Sequence, residues 1–227
     1  MSNTDSFIDE VTEEVRRDRL FAAFRKYGWI GILAVALVVG GATWNEWQKS
    51  RAEARAEAFG DSLLDALDLA GPAERRAAIE AVPATGTQSA LKALMLASDP
   101  VEDKAGTLAA LDALLADSTQ PQIYRDIAAL RRVLAAGSDM ALADRRSLLQ
   151  GIAAPGRALR VLAEEQLAYL MIEEGKTPEA IAALAALMQD QEAPSALRSR
   201  AGQVITALGG TPPEVKATGT DAGQDQG

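Results

Sequence analysis

The chain has 227 residues, a formal net charge of −9, and neither cysteine nor histidine. Disulfides, thiolate metal sites and a serine–histidine relay are thereby excluded, and the commonest general base and transition-metal ligand is missing. Hydrophobic residues make up 48% but aromatics only 4%, and alanine and leucine in excess over β-branched residues predict an all-α protein.

Residues 1–26 hold six acids and five bases. Ser6, with Asp9 three residues on, can cap a short first helix. Phe7, Val11 and Val15 share one face, Leu20, Phe21 and Phe24 continue the apolar character, and Arg16, Arg17, Arg19, Arg25 and Lys26 are the polar counterpart. This leader reads as an amphipathic segment on the inner membrane surface, as a plain topogenic charge cluster, or as a partner-binding segment.

Residues 27–47 are predicted to form a transmembrane helix. No charge falls between Lys26 and Glu46, and a helix of that length spans roughly 30 Å, the thickness of the hydrocarbon core. Tyr27 and Trp29 mark one membrane interface and Trp44 and Trp47 the other. The apolar core starts too late and ends too bulkily for a cleaved signal peptide, so an uncleaved signal anchor fits better. Five bases in the residues just before the span, against Lys49, Arg51 and Arg55 after it, place the N-terminus inside and the C-terminal part across the membrane. In a bacterial inner membrane that is the periplasm.

A membrane-emergent helix and N-terminal cap are expected over residues 48–82, with no stop before Gly71-Pro72. Ala52, Ala56, Phe59, Leu63, Ala66 and Ala70 recur at heptad-like spacing. They pack on the chain's own domain or, in the alternative, dimerise it as a coiled-coil neck.

Residues 83–209 repeat. Pro83, Pro121, Pro155 and Pro194 recur every 34 to 39 residues, with two helical stretches per interval. Residues 108–128 align without gaps on 181–201, pairing Leu111 with Leu184, Leu114 with Leu187, Asp117 with Asp190 and Pro121 with Pro194. A shift of 34 lays Leu108, Leu114, Leu115 and Pro121 on Leu142, Leu148, Leu149 and Pro155. Such a period predicts a tetratricopeptide-like helical-hairpin solenoid, with another alanine-rich hairpin array as the alternative. Leu167-Ala168, Gly175, Ala180 and Leu184 stand at tetratricopeptide spacing, and GKTPEAI over residues 175–181 resembles that family's inter-helix turn. Residues 210–227 are too polar to bury surface and are expected to be disordered.

No phosphate-binding loop or nucleophile-elbow motif occurs, and no cofactor is implied. Glu164-Glu165 and Glu173-Glu174 are adjacent along a helix, so neither pair naturally shares one reacting atom. An acidic chain without a basic stripe does not suit nucleic acid. Binding without catalysis is the function left. Glu165, Tyr169 and Ile172 share one helical face and are expected to be partly exposed in a partner groove. Arg125, Arg131 and Arg132 are candidate carboxylate contacts.

The leader EEVRRDRLFAAFRKYGW, the single span, the exit ATWNEWQKSRAEA and the degenerate repeats together resemble the YfgM-like family of bacterial inner-membrane proteins over nearly the whole chain. The resemblance implies a periplasmic tetratricopeptide domain and an ancillary role at the Sec translocon, beside a membrane-anchored periplasmic chaperone. It supplies no catalytic residues. A self-associating envelope scaffold, joined through Phe59 and Leu63, is the alternative function.

Overall fold

The computed structural model describes residues 4–214, with side chains from residue 25 onward except 27, 28 and 32. The tail beyond 214, the packing of the leader side chains and that of Tyr27 lie outside this description. The helices are α1 (Thr4–Leu67), α2 (Pro72–Ala81), α3 (Thr87–Leu96), α4 (Lys104–Ala116), α5 (Gln122–Ala136), α6 (Leu142–Ile152), α7 (Arg160–Glu173), α8 (Thr177–Gln189) and α9 (Ser195–Ala207). No strand occurs among the described residues. The chain divides into two units between Asp61 and Ser62.

In place of a separate short leader helix, span and emergent helix, α1 is a single helix of 64 residues, and it ends at Leu67 rather than Ala70. No proline interrupts residues 4–67, so nothing removes a backbone donor or forces a break. Among the described residues α1 is the one helix long and apolar enough to cross a membrane. The apolar side chains of its uncharged run are uncovered: Val38 is 72% exposed, a costly arrangement in water that lipid removes. Thr43 donates its hydroxyl to the Val39 carbonyl at 2.8 Å, which satisfies a polar group inside the apolar run.

In the second unit, Leu63 and Ala66 at the end of α1 are buried within the single chain, so the proposed self-association seam has no free Leu63. From α2 onward each helix packs on its sequence neighbour, and α3 also meets α5. The core is a series of clusters rather than one centre. Ala90, Leu111, Leu114 and Ala128 join α3, α4 and α5. Ala129, Val133, Leu149, Ile152 and Ala163 join α5, α6 and α7. Ala168, Leu184, Leu187, Ala201 and Ile205 join α7, α8 and α9.

Burial repeats along this series. Ala90, Ala128, Ala163 and Ala201 are fully buried in α3, α5, α7 and α9, where a methyl lets adjoining helices approach closely. In α4, α6 and α8 the matching trios are Thr107, Leu111, Leu114; Arg145, Leu149, Ile152; and Ala180, Leu184, Leu187, all buried. The register of α6 on α4 is therefore 38, not the 34 read from leucine matches. Alanine- and leucine-rich helices match at several shifts, and Arg145 disguises a core position. Pro121 and Pro194 both cap helices, α5 and α9. Asp117 and Asp190 close the preceding turns alike, accepting from the backbone amides of Thr119 at 3.0 Å and Glu192 at 2.8 Å. Gly175, at φ 73°, ends α7. Its amide and that of Lys176 donate to the Ile172 and Met171 carbonyls, both at 2.9 Å, a closure that glycine enters without strain.

Helices α2 to α9 carry no base in their last turns, yet cations reach some of these ends from elsewhere. Lys92 donates to Glu80 and Val82 carbonyls at the end of α2 at 3.0 and 2.9 Å. Arg131 serves Leu94 and Ala97 at the end of α3, and Lys104 serves Ala136 at the end of α5. These contacts tie successive layers while offsetting helix-end partial charge.

Acid is expected to loosen the domain. Hydrogen bonds from Arg145 hold the Glu173 carboxyl below its ordinary 4.5; Lys176 and then Arg146 do so for Glu174. Arg160 lowers Asp190 from its ordinary 3.8. Folded values below unfolded ones mean that this stability is complete above the ordinary values and is lost as pH falls through the folded ones. The urea midpoint should therefore stay level from neutrality to about pH 5 and then decline; a midpoint still level at pH 3 would contradict these pairings.

Candidate functional site

Helix α7 carries the predicted groove residues, and the structure separates them. Glu165 is 2% exposed, not partly open as expected. Helix α9 supplies Arg200, whose Nε and Nη2 donate to the two Glu165 oxygens at 2.7 Å each. Tyr169 donates its hydroxyl to Glu165 Oε1 at 2.8 Å. A carboxylate with three donors, one pair of them bidentate, can be removed from water. The bonds to Glu165 hold the Arg200 guanidinium above its ordinary value. Burial first, then Glu165, raises the Tyr169 phenol.

Tyr169 and Ile172 are half-buried, and Tyr169 packs against the α7–α8–α9 cluster. One repeat earlier the same face is more open. The offset of 35 that lays Ala128 on Ala163 lays Ile127 on Leu162, Leu130 on Glu165 and Leu134 on Tyr169. Ile123 and Leu134 on α5 are exposed, Leu134 at 56%. Their i, i+4, i+7, i+11 spacing is present in the sequence, but such spacing does not mark which apolar stripe stays uncovered. Behind α7, a cleft of about 380 Å³ lies between Leu167 and Met171 on one side and Ala183 and Leu187 on the other. Arg160 bounds it, pairing with Glu164 at 2.9 Å and Asp190 at 2.6 Å.

The other polar candidates are occupied. Glu173 pairs with Arg145 at 2.7 Å, and Glu174 with Arg146 and Lys176, so each member of the two glutamate doublets answers to its own cation. Arg132 pairs with Asp112 at 2.7 Å, Arg131 caps α3 and Arg125 bonds Gln122. Among the described residues no three Asp, Glu, His or Cys side chains converge as metal ligands.

At the predicted membrane interfaces, Trp29, Trp44 and Trp47 are exposed. The Trp44 and Trp47 rings lie 5.1 Å apart, and the Arg51 guanidinium sits 3.8 Å over Trp47. An aromatic pair topped by a cation suits the boundary between lipid tails and headgroups. No family model, curated protein or solved structure matches the chain.

Proposed function

We propose that the chain is a non-enzymatic, membrane-tethered adaptor whose helical-pair domain binds protein partners. The carrying observation is the uncovered apolar run of α1, joined in one chain to a domain built of repeating buried positions. A tetratricopeptide-like solenoid accounts for that periodicity, since each helix pair buries its apolar stripe only against the next. The α5–α7 face, with Ile123, Ile127, Leu134, Tyr169 and Ile172, is the groove of this reading. Large apolar side chains left open between polar rims are the usual anchors of a docked segment.

The resemblance of nearly the whole chain to the YfgM-like family makes the partners, in this reading, the Sec translocon and a membrane-anchored periplasmic chaperone. The protein is then an ancillary translocon subunit that passes emerging chains to periplasmic chaperones. Photocrosslinkers placed at Val38 and Leu134 in cells should capture translocon and chaperone subunits, and Leu134→Glu should remove the chaperone adduct without altering the fold. A soluble domain that dimerises, with no adduct at either position, would favour the envelope scaffold.

Topology follows from the basic residues before the span. Single cysteines in this cysteine-free chain give the test: Ser138→Cys should react with an impermeant maleimide in spheroplasts and Ser6→Cys only after lysis. The reverse pattern would overturn the orientation.

A further inference from the structure

We propose that the first layer of the domain, formed by the last turn of α1 with α2 and α3, docks a basic amphipathic segment of a partner protein. The two ends of the helical series differ. Helix α9 closes one end with Ser199, Gln203 and Thr206 exposed, while Leu197 and Ile205 are buried; a polar outer face is what a terminal cap needs. At the other end Leu64, Leu67, Leu69 and Leu91 are all exposed, Leu64 at 62%. A cavity of about 350 Å³ opens at this end over Leu67, Pro72, Ala73, Ile79 and Met95. That volume takes a large aliphatic or aromatic anchor, and exposed Leu67 carries apolar surface to its mouth.

Charge selects the occupant. Residues 62–103 hold seven acids and three bases, and all three bases are committed to the chain itself. Arg75 donates to the Leu69 and Ala70 carbonyls at 3.2 and 3.1 Å. Arg76 lies 3.1 Å from both Glu80 and Asp103, and Lys92 caps α2. Asp99 remains on the cavity rim, beside Glu102, which lies 3.8 Å from Arg75, and Asp65, Asp68 and Glu74 are close by in sequence. An apolar mouth within an acidic collar fits a helix with an apolar face and Lys or Arg flanks. A two-fold related copy would instead set this collar against itself.

The surface is separate from the α5–α7 face, so its failure leaves the adaptor reading standing. The full chain in nanodiscs of zwitterionic lipid is titrated into a fluorescent leucine–lysine amphipathic peptide and into its leucine–glutamate twin. The basic peptide should bind at least about tenfold more tightly, and more weakly as salt rises. Ala73→Arg, at an exposed position on the mouth, should weaken it about tenfold, whereas Ser147→Arg on exposed α6 adds the same charge and should not. Leu69→Ser, in an exposed turn, repeats the test should Ala73→Arg disturb α2. Equal binding of the twins, or basic-peptide binding indifferent to Ala73→Arg and Leu69→Ser, would overturn the proposal. So would a dimer of the unliganded chain that these substitutions dissolve, because the occupant would then be a second copy.

Discussion

Arg200→Ala is expected to destabilise the domain by about 2–4 kcal/mol, although Arg200 lies on the last helix and its own side chain is 48% exposed. The cost arises at Glu165. That carboxylate is 2% exposed, and without the guanidinium it keeps only the Tyr169 hydroxyl as a side-chain donor. A buried charge stripped of its counter-ion is penalised far more than the intact pair is worth. The exposure of Arg200 lets water compensate in part, which sets the expectation somewhat below the usual range for a fully enclosed pair. Glu165→Leu combined with Arg200→Leu removes both charges and should return to within about 1 kcal/mol of the parent. Urea unfolding of the three proteins tests this. A single variant as stable as the parent would mean that solvent reaches Glu165 and that α9 does not seal α7.

Leu184→Ala should cost about 3–5 kcal/mol, because Leu184 is fully exposed to neighbours and not at all to solvent in the α7–α8–α9 cluster and its removal leaves a cavity that rigid helices cannot collapse. For a domain of this size that is roughly 10–15 °C in Tm. Leu134→Ala, on the open face of α5, should stay within about 0.5 kcal/mol. Scanning calorimetry of the pair distinguishes core from groove; equal losses would place Leu134 in the core and remove the docking face. Because the clusters are strung in series, the Leu184 defect should raise hydrogen exchange most in α7–α9 and least in α3 and α4.

Helix type, the apolar span and much of the repeat were legible because local chemistry fixes them. Leu111 matches Leu184, Leu114 matches Leu187, and Pro121 matches Pro194 in burial or capping as well as in sequence. Side-chain volume and the missing proline amide act the same way wherever these residues occur. An uncharged apolar stretch likewise needs no neighbours to declare its preference for lipid.

Polar residues were not legible in this way, since their role depends on a partner the sequence does not indicate. Glu165 looked like an open groove residue until Arg200 was brought onto it by the packing of α9. Arg145, which nothing in the sequence marks as a core residue, fills the position held by Thr107 in α4 and Ala180 in α8, made tolerable by Glu173. Arg131 looked like a carboxylate contact but caps α3. The sequence by itself determined an all-helical chain with one helix long and apolar enough to cross a membrane and a periodic apolar core, because burial of apolar surface is non-directional and reads from pattern. Only the tertiary structure decided the register of α6, the fate of Glu165 and which apolar stripes stay open. A charge or hydrogen bond is directional and short-ranged, so its meaning is set by which helix arrives opposite it.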